Sequence, residues 1–278
     1  MRIGLLETDI LYDEFIKEYG SYGLMFEQYF TQLEGNNVQS SDLEFVYYQV
    51  QQGEFPVFLD ECDAYVVTGS KAGAYEDHDW IEALSNWIIE ADKAETKLLG
   101  VCFGHQIIAQ ALGGKVEKSD KGWGVGVRSL LTIPDSPFCQ SLPKYLDLIY
   151  SHKDQVVKLP PMARNFLGDD FCPYAGFTIG EHIVTLQGHP EFNAEYSERL
   201  LARRANDIEE SVYIQALHSL KLGTDANYIG RLILDFLSPV KTQLDNDNQI
   251  ESLQVSDKAE KTDESLEAAK PLEIEGAE

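Results

Sequence analysis

Leu98-Leu99-Gly100-Val101-Cys102-Phe103-Gly104-His105-Gln106 joins an apolar run to a helical pattern through a cysteine that has a glycine two positions away on each side. This Gly-x-Cys-x-Gly pattern is the thiol form of the Gly-x-Ser-x-Gly turn that lifts a nucleophile between a strand and a helix. Such a turn strains the backbone of the nucleophile, and the small flanking residues avoid collisions as the turn closes. Because a helix begins directly after the sulfur, its N-terminal dipole favours the thiolate. The stretch therefore predicts a nucleophilic Cys102 whose neighbouring N–H, that of Phe103, faces a developing oxyanion.

Short apolar runs alternate with helical patterns on both sides of this stretch. Strands are predicted at residues 3–6, 43–50, 64–68 and 97–101, and helices at 22–33, 79–94 (with Asp79 as its N-cap) and 103–112. From residue 122 to 187, strand-like runs follow one another with little helix, and helices resume at 194–216 and 225–237. This order predicts an α/β fold with a mixed, mostly parallel central sheet, helices on both faces and a small antiparallel extension.

The composition excludes several classes of protein. The 278 residues carry a formal net charge of −25, which repels nucleic acid and anionic membrane surfaces. The four cysteines (Cys62, Cys102, Cys139 and Cys172) are scattered and form no CxxC pair, which disfavours a disulfide scaffold or a zinc site of that type. There is no signal-peptide core at the N-terminus and no apolar run long enough to span a membrane. We therefore expect a soluble, cytoplasmic protein.

The charge is concentrated towards the C-terminus. Residues 241–278 hold eleven acids, four bases and no aromatic residue. Such a segment cannot bury enough apolar surface to offset the entropy lost on ordering. The sequence predicts a globular domain over residues 1–240 and a disordered acidic tail over 241–278.

A second stretch, Ile183-Val184-Thr185-Leu186-Gln187-Gly188-His189-Pro190-Glu191, also ends an apolar run in a turn. A thiol nucleophile needs a base, which is often distant in sequence. His189 at a strand end is placed to reach the same edge of the sheet as Cys102. Glu191 is placed to accept its other ring N–H and to fix the tautomer. The two stretches together predict a Cys102–His189–Glu191 triad.

These motifs resemble those of the class I (triad) glutamine amidotransferase family, and within it the glutaminase half of GMP synthase. The resemblance rests on Gly-Val-Cys-Phe-Gly-His-Gln and Gln-Gly-His-Pro-Glu, and on two further segments, Tyr150-Ser151-His152-Lys153-Asp154-Gln155-Val156 and Val67-Thr68-Gly69-Ser70. It covers roughly residues 1–235 and implies a flavodoxin-like fold. The glycine turn departs from the family pattern, because Thr-Gly-Ser stands where Gly-Gly-Pro is common.

The resemblance implies a role for each matching residue. Cys102 would attack the side-chain amide of glutamine to form a γ-glutamyl thioester, with His189 and Glu191 as its partners and glutamate and ammonia as products. The N–H groups of Gly69 and Phe103 would form the oxyanion hole. Three further residues would bind the α-amino and α-carboxylate groups of the substrate, namely Gln106, Ser151 and His152. No metal or organic cofactor is implied, and an ammonia-accepting synthase subunit is the implied partner.

The residues leave three functions open. The first is a glutaminase or glutamine amidotransferase, and the second is a γ-glutamyl peptidase that cleaves γ-glutamyl peptides or glutathione conjugates by the same thioester chemistry. They differ in the room that they need beyond the γ-carbonyl, where residues 71–79 are expected to form the wall. The third is a non-catalytic binding protein, which an intact Cys102, His189 and Glu191 disfavours. On the helix that follows, Arg199, Arg203 and Arg204 are interpreted as a solvated or ion-paired face.

Overall fold

Within residues 1–33, 42–134 and 137–239, which the computed structural model describes, the chain forms eleven strands and seven α-helices. The strands are β1 (Arg2–Glu7), β2 (Glu44–Gln49), β3 (Ala64–Val67), β4 (Lys97–Val101), β5 (Lys115–Lys118), β6 (Gly124–Thr132), β7 (Tyr145–His152), β8 (Asp154–Lys158), β9 (Ala163–Gly168), β10 (Gly176–Ile179) and β11 (Ile183–Leu186). The helices are α1 (Asp13–Tyr19), α2 (Tyr22–Thr31), α3 (Asp79–Lys93), α4 (Phe103–Ala111), α5 (Ala194–Arg203), α6 (Glu210–Ser219) and α7 (Ala226–Leu237). The predicted tail, 241–278, lies outside the described residues, so the predicted division of the chain at residue 240 stays a prediction.

Nine of these strands form one mixed sheet in the order β2-β1-β3-β4-β11-β10-β9-β6-β7. The pairings from β2 to β11 are parallel, and those from β11 to β7 are antiparallel. The predicted antiparallel extension therefore continues the main sheet from β11 onward. Strands β5 and β8 form a separate two-stranded antiparallel sheet.

The main sheet is covered on both faces, as the sequence predicts. All four residues of β3 are buried, and so are all four of β11, which is why these strands read as continuous apolar runs rather than alternating ones. On one face, Phe26 and Phe30 of α2 pack with Ile233 of α7. On the other face, Leu84 of α3 packs with Ile107 of α4.

Several elements differ from the sequence prediction. The helix predicted over 194–216 is two helices, because α5 ends at Arg203 and the extended Ile208 is buried before α6 begins at Glu210. The predicted N-cap of α3 is wrong: His78 occupies that position without a side-chain capping bond, and Asp79 is the first helical residue. Strand β5 is not predicted from the sequence. Its residues are Lys-Val-Glu-Lys, and because only Val116 is buried, they show no alternation of apolar and polar side chains.

The described part of the chain contains no helix that combines the length and the apolar character needed to cross a bilayer.

Candidate functional site

Cys102 lies at the turn between β4 and α4 and has a backbone conformation that side chains rarely adopt. Its φ is 53° and its ψ is −101°, and it occupies the N-cap position of the helix. A non-glycine residue at positive φ of this kind costs on the order of 1–3 kcal/mol and persists only where its surroundings impose it. The strain predicted for this residue is therefore present in the fold.

The two glycines that flank Cys102 allow the turn to close. A Cβ atom at Gly104 would lie 2.1 Å from the carbonyl oxygen of Val67, and one at Gly100 would lie 2.7 Å from the carbonyl group of Gly104. The Gly104 N–H also donates to the Thr68 carbonyl oxygen at 3.1 Å. The start of α4 thus rests directly on the end of β3, at a distance that only glycine permits.

Three neighbouring strands bring the predicted site residues to one edge of the sheet. Gly69 follows β3, Cys102 follows β4 and His189 follows β11. The Cys102 N–H donates to the Leu186 carbonyl oxygen at 2.8 Å, which ties the turn to the neighbouring strand. The His189 N–H donates to the Ile149 carbonyl oxygen at 2.8 Å. Backbone hydrogen bonds therefore hold both Cys102 and His189 in position.

His189 and Glu191 form a buried pair beside Cys102. The His189 Nδ1 lies 2.7 Å from the Glu191 Oε1, and the His189 ring stacks on Phe192 with 3.8 Å between the ring centroids. Burial acts against the charged imidazolium, but the Glu191 carboxylate and the Cys102 sulfur, which is also hydrogen-bonded to the ring, outweigh it and raise the pKa of His189 to about 10. The Glu191 carboxylate beside the ring therefore favours the charged form of His189.

The two predicted oxyanion donors lie on either side of Cys102. A side chain at Gly69 would come within 3.1 Å of His189 Cε1 and 3.8 Å of Cys102 Cβ, so this turn borders the sulfur directly. The Thr8 hydroxyl donates to the Thr68 carbonyl oxygen at 3.1 Å, and that carbonyl belongs to the peptide group that carries the Gly69 N–H. Phe103 opens α4, so its N–H has no acceptor within the helix. Both predicted donors therefore belong to turns that border Cys102.

The Cys102 side chain lines a cavity of about 100 Å³. The three residues predicted to bind the substrate, Gln106, Ser151 and His152, line the same cavity. The Gln106 side-chain amide donates to the Asp154 carbonyl oxygen at 2.8 Å and to Gln187 Oε1 at 3.0 Å. Its NH₂ group is thus used within the protein and joins α4 to β8 and to the end of β11.

Among the residues that line this cavity without a predicted role there, Trp123 and Arg204 come from loops outside the predicted motifs. Arg204 departs from the interpretation given to the three arginines: Arg199 and Arg203 pair with Glu18 and Glu14, but Arg204 donates to Ser151 Oγ at 2.6 Å. No spacing in the sequence indicates either residue, because Trp123 precedes β6 and Arg204 follows α5, and only the folded chain brings these loops to Cys102.

His152 and His105 are both buried and neutral. Desolvation lowers the pKa of each to about 3, and the positive charge of Arg128 adds to the effect at His152. The His152 Nδ1 lies 3.1 Å from the Asp154 carbonyl oxygen, which can only accept, so this nitrogen carries the proton. His105 is hydrogen-bonded to the Thr185 hydroxyl at 2.9 Å and packs against Phe177, away from the cavity.

These two histidines predict a loss of stability in acid. The unfolded chain binds protons near the ordinary histidine pKa of 6.5, whereas the folded chain does not until about pH 3, so stability falls as the pH drops through that range. Each group contributes a slope of up to about 1.4 kcal/mol per pH unit. His105→Asn is therefore expected to flatten the dependence of the urea midpoint on pH between 6.5 and 4. His78→Asn, which alters an exposed histidine, is the control, and equal slopes in the two variants would contradict the argument.

A larger cavity, of about 380 Å³, lies at the opposite edge of the sheet, where β4 begins. It is lined by Lys97, Phe138, Thr178, Asp235 and Phe236, among others, and by neither cysteine nor histidine. It offers no nucleophile or general base of the predicted kind. The cavity that Cys102 lines is the candidate active site because it holds the predicted nucleophile.

Comparisons with known proteins agree with this geometry. A family model described as glutamine amidotransferase class-I matches residues 36–206. Gamma-glutamyl peptidase 3 of Arabidopsis thaliana is 35% identical over 202 residues, 69% of this chain and 78% of that protein. A glutamine-hydrolyzing GMP synthase of Thermotoga maritima is 28% identical over 158 residues, 56% of this chain and 30% of that protein. The crystal structure of a glutamine amidotransferase from Thermotoga maritima superposes with a TM-score of 0.69 at 22% identity, covers 86% of this chain and 99% of its own, and shows the same fold.

Proposed function

Because the chain belongs to the class I glutamine amidotransferase family, we propose that it hydrolyses γ-glutamyl amides with Cys102 as the nucleophile. One observation carries this proposal. A strained cysteine at a helix N-terminus lies beside a buried histidine–glutamate pair, at the ends of two hydrogen-bonded strands. That arrangement supplies a nucleophile, a proton carrier and a group that orients the carrier.

The reaction follows from the positions of these groups. The Cys102 thiolate attacks the γ-carbonyl carbon, an S–C bond forms, and the carbonyl oxygen takes the charge towards the N–H groups of Gly69 and Phe103. The His189 imidazolium gives its proton to the leaving nitrogen, and the C–N bond breaks. Water then loses a proton to His189 and attacks the γ-glutamyl thioester. The S–C bond breaks, glutamate leaves, and Cys102 and His189 return to their starting state.

The substrate that we favour is a γ-glutamyl peptide. Four gamma-glutamyl peptidases of Arabidopsis thaliana are 31–35% identical to the chain. A cavity of about 100 Å³ is well below the roughly 300–1,000 Å³ that encloses a drug-sized ligand, so it suits the γ-glutamyl end alone and leaves the rest of a peptide at its mouth. Glutamine is the second candidate, because the family to which the chain belongs carries that substrate in its name. An ammonia-accepting synthase would be needed as a partner only if glutamine is the substrate.

Release of glutamate from γ-glutamylalanine and from glutamine, measured side by side, tests this proposal. Cys102→Ala is the blank, and its turnover is expected to fall by at least about 10³-fold, because the nucleophile is lost while the oxyanion donors remain. A kcat/KM at least ten-fold higher for the dipeptide would identify a peptidase, and the reverse would identify a glutaminase. If neither substrate releases glutamate in a reaction that depends on Cys102, the proposal is contradicted. Cys62→Ala, which alters a buried cysteine outside the cavity, is the matched control.

A further inference from the structure

The mouth of the Cys102 cavity is positively charged in a strongly acidic protein. The chain carries a formal net charge of −25, yet Lys71, Lys153 and Arg204 line this cavity together with a single acid, Asp154. A local excess of cations against the overall charge of the molecule draws anionic ligands to that point. Which of these cations are free to bind a ligand depends on their partners.

Two of the cations have no carboxylate partner in the described part of the chain. The Lys71 ammonium is already used, because it lies 2.7 Å from Asp9 Oδ2 and 2.6 Å from the carbonyl oxygen of Ile10. Arg204 donates through one nitrogen to Ser151, and neither it nor Lys153 forms an ion pair with a described acid. A guanidinium has five N–H donors, so Arg204 keeps several for a ligand.

Trp123 brings these two cations together. The Arg204 Cζ lies 5.0 Å from the centroid of a Trp123 ring, and the Lys153 Nζ lies 6.0 Å from it. The indole Nε1 is buried and has no hydrogen-bond partner among the described residues. That N–H is closed to solvent, so the ring of Trp123, a residue that lines the cavity, is what holds the two cations together at the cavity wall.

We propose that Arg204, Lys153 and Trp123 form a carboxylate-binding subsite at the mouth of the Cys102 cavity, and that it selects γ-glutamyl substrates that carry a free carboxylate there. The choice of a γ-glutamyl compound as the ligand rests on the proposed function. A carboxylate accepts two parallel bonds from a guanidinium, and Lys153 adds a second positive charge. Two carboxylates of a γ-glutamyl peptide have this chemistry, the α-carboxylate of the glutamyl residue and the C-terminal carboxylate of the leaving peptide.

Binding to the Cys102→Ala protein tests the subsite without turnover. We expect Arg204→Gln in that background to weaken the binding of γ-glutamylalanine at least ten-fold in calorimetry, because a charge-assisted bond is lost. Arg203→Gln is the matched control: it makes the same change one residue earlier, at an exposed arginine paired with Glu14 and outside the cavity. Equal affinities in the Arg204 and Arg203 variants would overturn the proposal.

Two analogues of the dipeptide, each with one carboxylate replaced by a carboxamide, identify which of the two carboxylates binds to the subsite. If the analogue with the C-terminal carboxamide binds with equal affinity to the proteins with Arg204 and with Arg204→Gln, the subsite binds the carboxylate of the leaving peptide. If the analogue with the α-carboxamide does so instead, the subsite binds the α-carboxylate of the glutamyl residue. A difference that persists with both analogues would mean that Arg204 acts only by holding Ser151, and the proposal would be wrong.

The same variants in the active protein separate this proposal from the proposed function. We expect Arg204→Gln and Lys153→Gln to raise KM for γ-glutamylalanine with a smaller change in kcat, because the subsite binds a carboxylate that does not take part in the reaction. If the Cys102→Ala protein binds the dipeptide through Arg204 but the wild-type chain does not hydrolyse it, the proposed function fails and the subsite stands. If hydrolysis occurs and Arg204→Gln leaves both KM and affinity unchanged, the subsite fails and the proposed function stands.

Discussion

Glu191→Gln is expected to lower kcat for γ-glutamyl hydrolysis by about 10²–10⁴-fold without unfolding the chain. The carboxylate of Glu191 is what keeps a buried His189 charged, since burial alone favours the neutral ring. A glutamine at this position removes the negative charge, and its NH₂ group can donate to Nδ1 and so impose the opposite tautomer. The corresponding aspartate-to-asparagine change in serine proteases, a worked example of the same logic, costs about 10⁴-fold.

The rate of alkylation of Cys102 by iodoacetamide gives this prediction a second measurement. Only a thiolate reacts at an appreciable rate, and the substitution removes the carboxylate that favours a positive charge on the ring beside Cys102. We expect the Gln variant to react more slowly at pH 7, and the exposed Glu195→Gln to react as the wild type does. A turnover within ten-fold of the wild type, in a variant with an unchanged unfolding midpoint, would show that Glu191 is only a structural partner of His189.

Gly104→Ala is expected to destabilise the chain by about 1–3 kcal/mol or more and to abolish most of its activity. The added methyl group would lie 2.1 Å from the Val67 carbonyl oxygen and 3.0 Å from Val67 Cβ, and a backbone carbonyl within a central strand cannot yield as a flexible side chain does. Either β3 or the start of α4 must shift, and α4 carries the N–H of Phe103. Urea unfolding and γ-glutamyl hydrolysis measure the two effects.

Gly223→Ala is the matched control for this substitution. A Cβ at Gly223 meets no atom within 4 Å, so we expect its stability to change by less than about 0.5 kcal/mol. If Gly104→Ala were as stable and as active as Gly223→Ala, the close approach of α4 to β3 would be irrelevant to the nucleophile turn.

Sequence reasoning located the parts of the site that strands carry. Strand β4 begins and ends where its apolar run predicts, and Cys102 has the strained backbone that a glycine on each side indicates. His189 and Glu191 are in contact because they lie two residues apart after a buried strand. Such features depend on local patterns and on the rule that parallel strands end at one edge of a sheet.

Part of the cavity lining agrees with the sequence prediction, because Lys71 and Ala72 belong to the predicted wall, 71–79, and both line the cavity. The rest of the mouth has no such signal in the sequence. Trp123 and Arg204 reach it from loops whose geometry depends on how α5 and β6 pack, and not on any period in the sequence. Asp154 also lines the cavity without a predicted role. A Cβ at Gly73 would lie 3.1 Å from the Tyr75 ring and 3.2 Å from Asp154 Oδ2, so Tyr75 and Asp154 both border this glycine. The two-stranded sheet of β5 and β8 is short and mostly polar, so it too gave no signal.

The pairing of β4 with β11 has a consequence for how the protein is made. The hydrogen-bonded register joins Leu98 to Ile183, so the strand before the nucleophile and the strand before its base are synthesised far apart in time. On the ribosome, a chain that ends before β11 holds Cys102 without the Leu186 carbonyl that anchors its N–H and without His189. Long-range parallel pairing forms late because its loop-closure entropy must be met first. The nascent chain therefore lacks the partners that hold Cys102 in place, and the proposed nucleophile and base come together only when the last parallel strand enters the sheet.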